Sequence, residues 1–286
     1  MSNLPTPGAK GLRRSLHFVP GGNDRMFEKA LKLPADSLIL DLEDSVTPEN
    51  KKSARDQVCN WIEETDFKKQ ECLVRINPLD TPWGDDDLHA VMEVLPDGLV
   101  LPKVATEQEV RNIDALVTKI ENNHQLQERL VSFILIGTEV PGAVFNLPSM
   151  AKIARVDGVT WGAEDLSGAL GAKAKRDSAG NYLEVFSFVR STCLLAAVAG
   201  NAQPIDAVYV DIKNPELKKL LKKLNMEFKN EKDYLKKSFK KELKALREKY
   251  LNKRQKLKKE YKQNDKSEKP KKIKPNKKKT REKELE

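Results

Sequence analysis

Two acidic residues stand where this chain could do chemistry. Glu139 closes the apolar run Phe133-Ile134-Leu135-Ile136-Gly137-Thr138, and Asp165 closes Gly158-Val159-Thr160-Trp161-Gly162-Ala163-Glu164. Carboxylates at the C-terminal ends of buried parallel strands lie where α/β proteins carry their active sites. The ends of neighbouring strands are about 4.8 Å apart, which lets two carboxylates share one hard cation. Arg75 lies near the end of a third such run, and Asp41 and Glu43 at the end of a fourth. No Cys, Ser or His is placed as an activated nucleophile. Cys59, Cys72 and Cys193 have no metal or redox spacing and read as reduced residues of an intracellular protein, and His17, His89 and His124 are scattered. This inventory suits Mg²⁺ bound by two carboxylates and several waters, with open positions for an oxygen-rich substrate. Arg75 would fork onto a substrate carboxylate or carbonyl. Metal plus guanidinium would stabilise an enolate, which fits aldol-type carbon–carbon cleavage or formation. The competing reading makes these charges salt bridges at the strand ends.

The elements that must position these residues repeat as βα units. Strand candidates are Ser15–Val19, Leu38–Leu42, Cys72–Asn77, Gly98–Val104, Phe133–Glu139, Gly158–Gly162 and Ala207–Ile212. Most are near-continuous Val, Ile and Leu, as in parallel strands covered on both faces. Helix candidates between them are Asp24–Lys32, Pro48–Thr65, Asp85–Val94, Glu107–Asn122, Ala143–Ala154 and Glu184–Ala199. Thr47-Pro48, and Thr106 with Glu109, read as helix starts. The pattern favours a TIM-type barrel over an open doubly wound sheet. Pro20-Gly21-Gly22-Asn23 is a tight turn and not a Gly-rich phosphate fingerprint.

Strand parity says which side chains share a face. Asp41 and Glu43 go with Ile39, opposite Leu38, Leu40 and Leu42, and so should face the barrel axis. Arg75 goes with Leu73 and Asn77, and Glu139 with Leu135 and Gly137. Glu164 and Asp165 alternate, and parity does not choose between them.

The net charge of +9 conceals two different polymers. Residues 1–214 carry 23 Lys and Arg against 31 Asp and Glu, a net −8, whereas residues 215–286 carry 29 against 12, a net +17. The basic balance therefore belongs to the tail. No run approaches the roughly 18 apolar residues of a membrane helix, and the first twelve residues hold no apolar segment of a secretory signal. A cytoplasmic protein is expected, with the mitochondrial matrix as the alternative.

The segments Arg13-Arg14-Ser15-Leu16-His17-Phe18-Val19-Pro20-Gly21, Leu40-Asp41-Leu42-Glu43-Asp44, Val74-Arg75-Ile76-Asn77-Pro78, Leu101-Pro102-Lys103 and Trp161-Gly162-Ala163-Glu164-Asp165-Leu166 resemble the citrate lyase beta subunit-like CoA-ester lyases of the HpcH/HpaI aldolase/citrate lyase superfamily. Val189-Arg190-Ser191-Thr192 and the run Ile205 to Ile212 also fit, so the resemblance covers about residues 12–214 in order. It implies a TIM barrel, a Mg²⁺ cofactor and cleavage of a 3-hydroxyacyl-CoA of the citryl-, citramalyl- or malyl-CoA type. By resemblance Glu139 and Asp165 are the metal ligands, which selects Asp165 over Glu164. Arg75 and Glu139 contact substrate, and Asp41 and Glu43 lie behind them, orienting water on the metal. A homo-oligomer, trimer or hexamer, is also implied.

The family continues past the strand matching Ala207–Ile212 with a helix, an eighth strand and a lid that supplies an acidic catalytic residue to a neighbouring subunit. None of this is recognisable here: residues 215–286 contain no Val and a single Ile, Ile273. The expected fold is thus a barrel of seven βα units over 1–214, extended to about 224 if the last helix belongs to it, with open edges and a tendency to self-associate. Leu224/Phe228, Leu235/Phe239, Leu246/Tyr250 and Leu257/Tyr261 recur every eleven residues, as on one face of a nearly straight helix over 215–262. Pro270, Pro275 and the lysine run predict disorder over 263–286. Three readings of the tail stay open: a charged helix packed on the barrel or on itself, a C-terminus not native to the fold, or a surface for RNA or another polyanion on a non-catalytic barrel.

Overall fold

A computed structural model describes residues 12–126, 130–209 and 215–267. Its contacts divide the chain into two units, residues 1–209 and 210–286.

The first unit alternates strands and helices. The strands are β1 (Leu16–Pro20), β2 (Ser37–Asp41), β3 (Glu71–Arg75), β4 (Gly98–Leu101), β5 (Ser132–Ile136), β6 (Val156–Thr160) and β7 (Gln203–Ile205). The helices are α1 (Asp24–Ala30), α2 (Lys51–Glu64), α3 (Gly84–Glu93), α4 (Glu107–Asn123), α5 (Ala143–Met150), α6 (Ala163–Ala169) and α7 (Glu184–Ala199), with a 3-10 turn at Pro48–Asn50 leading into α2. The strands form one parallel sheet in sequence order, β1 to β7. No pairing joins β7 to β1 among the described residues, so the sheet is a curled, unclosed barrel of seven strands.

Strand composition matches a sheet covered on both faces. Leu38, Leu40, Leu99, Leu101, Phe133 and Leu135 point out into a large core shared with the helices, and Ile39, Leu73, Val100, Ile134 and Ile136 form a second, inner cluster. Both faces are apolar because both are covered, as parallel strands require. Leu16, Phe18 and Ile205, on the two edge strands, are only partly buried against the inner cluster. At the N-terminal end the edges are stitched by side chains. Gln203 Nε2 donates to Arg13 O at 3.0 Å, and Arg13 pairs with Glu71 at 2.6 Å and Asp157 at 2.9 Å.

Several boundaries differ from the sequence reading. Strands β2 to β6 end one to three residues before the apolar runs do, because the last apolar residues lie in the turns above the sheet. The seventh strand is Gln203–Ile205, which pairs with Gly158–Thr160, and not Ala207–Ile212. Residues 207–209 run on without strand pairing, and 210–212 fall outside the described residues. Helix α6 was not expected at all. Thr106 caps α4 by accepting from Glu109 N at 3.2 Å, while Glu109 accepts from Ala105 N at 2.8 Å, one residue before the N-cap N–H of a standard capping box.

The second unit contains one helix, α8 (Pro215–Ser267). It runs five residues into the stretch expected to be disordered, and residues 268–286 lie outside the described residues. Leu235, Phe239, Leu246, Tyr250 and Leu257 of the eleven-residue stripe are all exposed.

Candidate active site

Five of the residues singled out in the sequence gather above the C-terminal ends of the strands. Asp41 ends β2 and Arg75 ends β3, side by side in the register. Arg75 forks onto Asp41, Nε to Oδ1 and Nη2 to Oδ2, both at 2.7 Å. Asp41 also accepts from Glu43 N at 2.9 Å and Ser45 N at 3.2 Å, so one carboxylate shapes the turn after β2 and aims the guanidinium. Burial pushes the Asp41 carboxyl up, but the Arg75 bonds outweigh it and hold it below its usual range. Glu43 is 3% exposed and lies 2.9 Å from Arg75 Nη1 through an oxygen, Oε2, that has no hydrogen-bond partner. Arg75 also stacks on Phe18, 5.0 Å from the ring centroid. Asp41 and Glu43 thus contact Arg75 directly.

Glu139 departs from strand parity. Parity put it with Leu135, which faces the outer core. The strand ends at Ile136, and the turn that follows re-aims the side chain into the central cavity. Glycine at 162 permits this approach: a Cβ there would meet Glu139 Cγ at 2.5 Å. Glu139 is 4% exposed, accepts from Lys103 N at 2.7 Å, and has no Lys or Arg within ion-pair reach among the described residues. Burial above all, with the Lys103 bond pulling the other way and the charges of Glu43 and Asp165 adding, raises its carboxyl to about 8. At neutral pH a group this deep stays protonated unless a bound cation compensates its charge.

Asp165 does not close a strand. It lies in the first turn of α6, beside Glu164. Helix geometry separates them: Glu164 pairs with Lys175, while Asp165 Oδ1 lies 4.0 Å from Lys103 Nζ. Asn77 turns away from the barrel axis, donating to Leu42 O at 2.9 Å and Asp87 Oδ2 at 2.6 Å. Arg75, Glu139 and Asp165 all line a cavity of about 840 Å³ floored by the inner apolar cluster.

Two lysines brace the turns that carry these residues. Lys103 follows β4 in the left-handed region, φ 55°, and its Nζ bonds Glu43 Oε1 at 2.5 Å. Lys51, at the start of α2, is caged by Leu42 O, Glu43 O and Asn77 Oδ1 at 2.8–2.9 Å and pins the turn carrying Glu43. A cation in a helix's first turn opposes the dipole, and here these oxygens compensate it.

No three His, Cys, Asp or Glu side chains among the described residues converge as a complete metal cage. The donor set still fits Mg²⁺, which keeps several waters and takes one or two carboxylates. Glu139, with no Lys or Arg within ion-pair reach among the described residues, and Asp165 could hold it; Glu164 lines the same cavity but is paired with Lys175.

Comparison with known proteins identifies the family. The family model for HpcH/HpaI aldolase/citrate lyase matches residues 14–223. Citrate lyase subunit beta of Escherichia coli K12 is 35% identical over 203 residues, 71% of this chain and 65% of that protein. The (3S)-malyl-CoA thioesterase of Cereibacter sphaeroides is 30% identical over the same length and shares. The chain thus spans about two thirds of these relatives' length. The CitE protein of Mycobacterium tuberculosis, solved with magnesium and acetoacetate, superposes with TM-score 0.59 at 30% identity, over 75% of this chain and 79% of that one. This chain belongs to the HpcH/HpaI aldolase/citrate lyase family.

Proposed function

We propose that this chain carries the metal- and acyl-binding side of a carbon–carbon lyase acting on a 3-hydroxyacyl-CoA of the citryl-, citramalyl- or malyl-CoA type. The observation behind it is Glu139: a buried carboxyl group with no Lys or Arg within ion-pair reach among the described residues, at the mouth of a parallel barrel, in one cavity with Asp165 and Arg75. Glu139 and Asp165 would hold Mg²⁺, which when bound supplies Lewis acidity toward the acyl carbonyl. Arg75 is aimed by Asp41 and Glu43, which leave part of its N–H fork for a substrate carboxylate or carbonyl. Cleavage breaks the Cα–Cβ bond: the β-hydroxyl proton leaves, the carbinol carbon becomes a carbonyl, and the bonding pair goes to the CoA-ester enolate, which takes up a proton. Arg75 is placed to stabilise that developing negative charge.

The reading takes residues 1–214 as the catalytic unit and the helical tail as a separate element. Magnesium and acetoacetate in the M. tuberculosis relative support a small oxo-acid ligand beside the cation. The test is to incubate the intact chain and Mg²⁺ with citryl-, citramalyl- and malyl-CoA and follow acetyl-CoA release. Release from one of them, abolished by Arg75→Met, is expected. If none is bound or cleaved, the reading is wrong.

A further inference from the structure

The residue that touches most of the candidate cation site is Lys103. Its backbone N–H donates to Glu139 Oε2 at 2.7 Å. Its ammonium bonds Glu43 at 2.5 Å, and lies 3.4 Å from Asp44 Oδ1 and 4.0 Å from Asp165 Oδ1. The backbone is held left-handed, φ 55°, at a residue that gains nothing from that conformation by type. A non-glycine held there is over-determined by its surroundings. The two handles are separable, because a side-chain substitution removes the ammonium and leaves the N–H. Arg75, the other cation at this mouth, is engaged by Asp41 and Glu43. Lys103 is therefore the tethered positive charge nearest Asp165 among the described residues.

We propose that Lys103 is a built-in counter-ion of the metal site: its ammonium neutralises Glu43, Asp44 and Asp165 when no divalent ion is bound and competes with that ion for them. The inference rests on the assignment of Glu139 and Asp165 as the cation ligands. Its consequence runs against a purely structural role. A lysine that merely braced Glu43 would, when removed, loosen the site and weaken metal binding. A competing ammonium, when removed, adds one net negative charge and tightens it. The gain should also shrink with added salt, since the site opens to solvent.

The experiment titrates the intact chain with Mg²⁺ by isothermal calorimetry. Lys103→Met should bind Mg²⁺ at least about threefold tighter than the parent, and Lys103→Arg should match the parent. Lys103→Gly is the second variant. It keeps the N–H to Glu139 and eases the left-handed backbone, so it should fold readily and also bind more tightly. Unchanged or weaker binding in both neutral variants overturns the proposal. Glu139→Gln and Asp165→Asn run alongside. If these leave affinity unchanged, the ligand assignment has failed; if they weaken it but the Lys103 variants do not tighten it, only the counter-ion role has failed.

Discussion

Gly162→Ala tests whether Glu139 is placed as finely as the geometry requires. A methyl group at 162 would stand 2.5 Å from Glu139 Cγ and 3.3 Å from Ile136 Cγ2. Carbon atoms pack at about 3.5–4.0 Å, so Glu139 must move by roughly 1 Å. That displacement stretches its 2.7 Å bond from Lys103 N beyond hydrogen-bond length. The backbone itself accepts alanine, since φ at 162 is −101°. Stability therefore balances an overpacking cost of about 1–3 kcal/mol against a gain of about 0.4–1 kcal/mol from a stiffer unfolded chain. A net loss of about 0–2.6 kcal/mol is expected by urea denaturation. Mg²⁺ affinity should fall at least about tenfold, because supporting contacts of a metal ligand are typically worth that much. Gly168→Ala, on the same helix with nothing within 4 Å, is the control and should bind normally. An affinity within about twofold of the parent for Gly162→Ala would refute the packing argument.

Other consequences are as direct. Arg155, fully buried, bonds Asp114, Thr118, Glu121 and Val131 O at 2.6–2.9 Å; Arg155→Met should cost about 3–5 kcal/mol in urea, and a loss under 1 kcal/mol would deny that network its role. Burial pushes the Cys193 thiol up to about 12 and Cys59 to about 11, so both stay protonated at pH 8 and should react with a thiol reagent only as the chain unfolds; fast native labelling would contradict the packing around α7 and α2. Arg75→Lys keeps the charge but loses the fork on Asp41, so it should weaken binding of the proposed acyl-CoA substrate at least about tenfold with Mg²⁺ affinity little changed; equal loss of both would mean Arg75 supports the metal instead.

Much of the fold could be read from strand composition. Apolar runs, most of them near-continuous Val, Ile and Leu, marked six of the seven strands and their parallel order, because both faces of the central strands are buried. The seventh was misplaced because Gln203-Pro204-Ile205 is short and contains a proline, while the more apolar run after it lies past the last pairing. Helix α6, seven residues with Gly168 inside, offered too little periodicity to find. In the site, Asp41 and Arg75 were legible because they sit on strands whose alternation persists. Glu139 was found by type and position, but parity aimed it wrongly, since it lies three residues beyond Ile136. Lys103 and Lys51 were not legible as site residues. Lys103 meets Glu43 sixty positions away, and Lys51 meets Asn77 twenty-six away. Such partners appear only when the sheet curls.

The central claim is that Glu139 and Asp165 together hold a divalent cation. Calorimetric titration of the intact chain with Mg²⁺, beside Glu139→Gln and Asp165→Asn, tests it most directly. The account predicts one saturable site whose affinity drops at least about tenfold in each variant. Undiminished Mg²⁺ binding in both variants would contradict it.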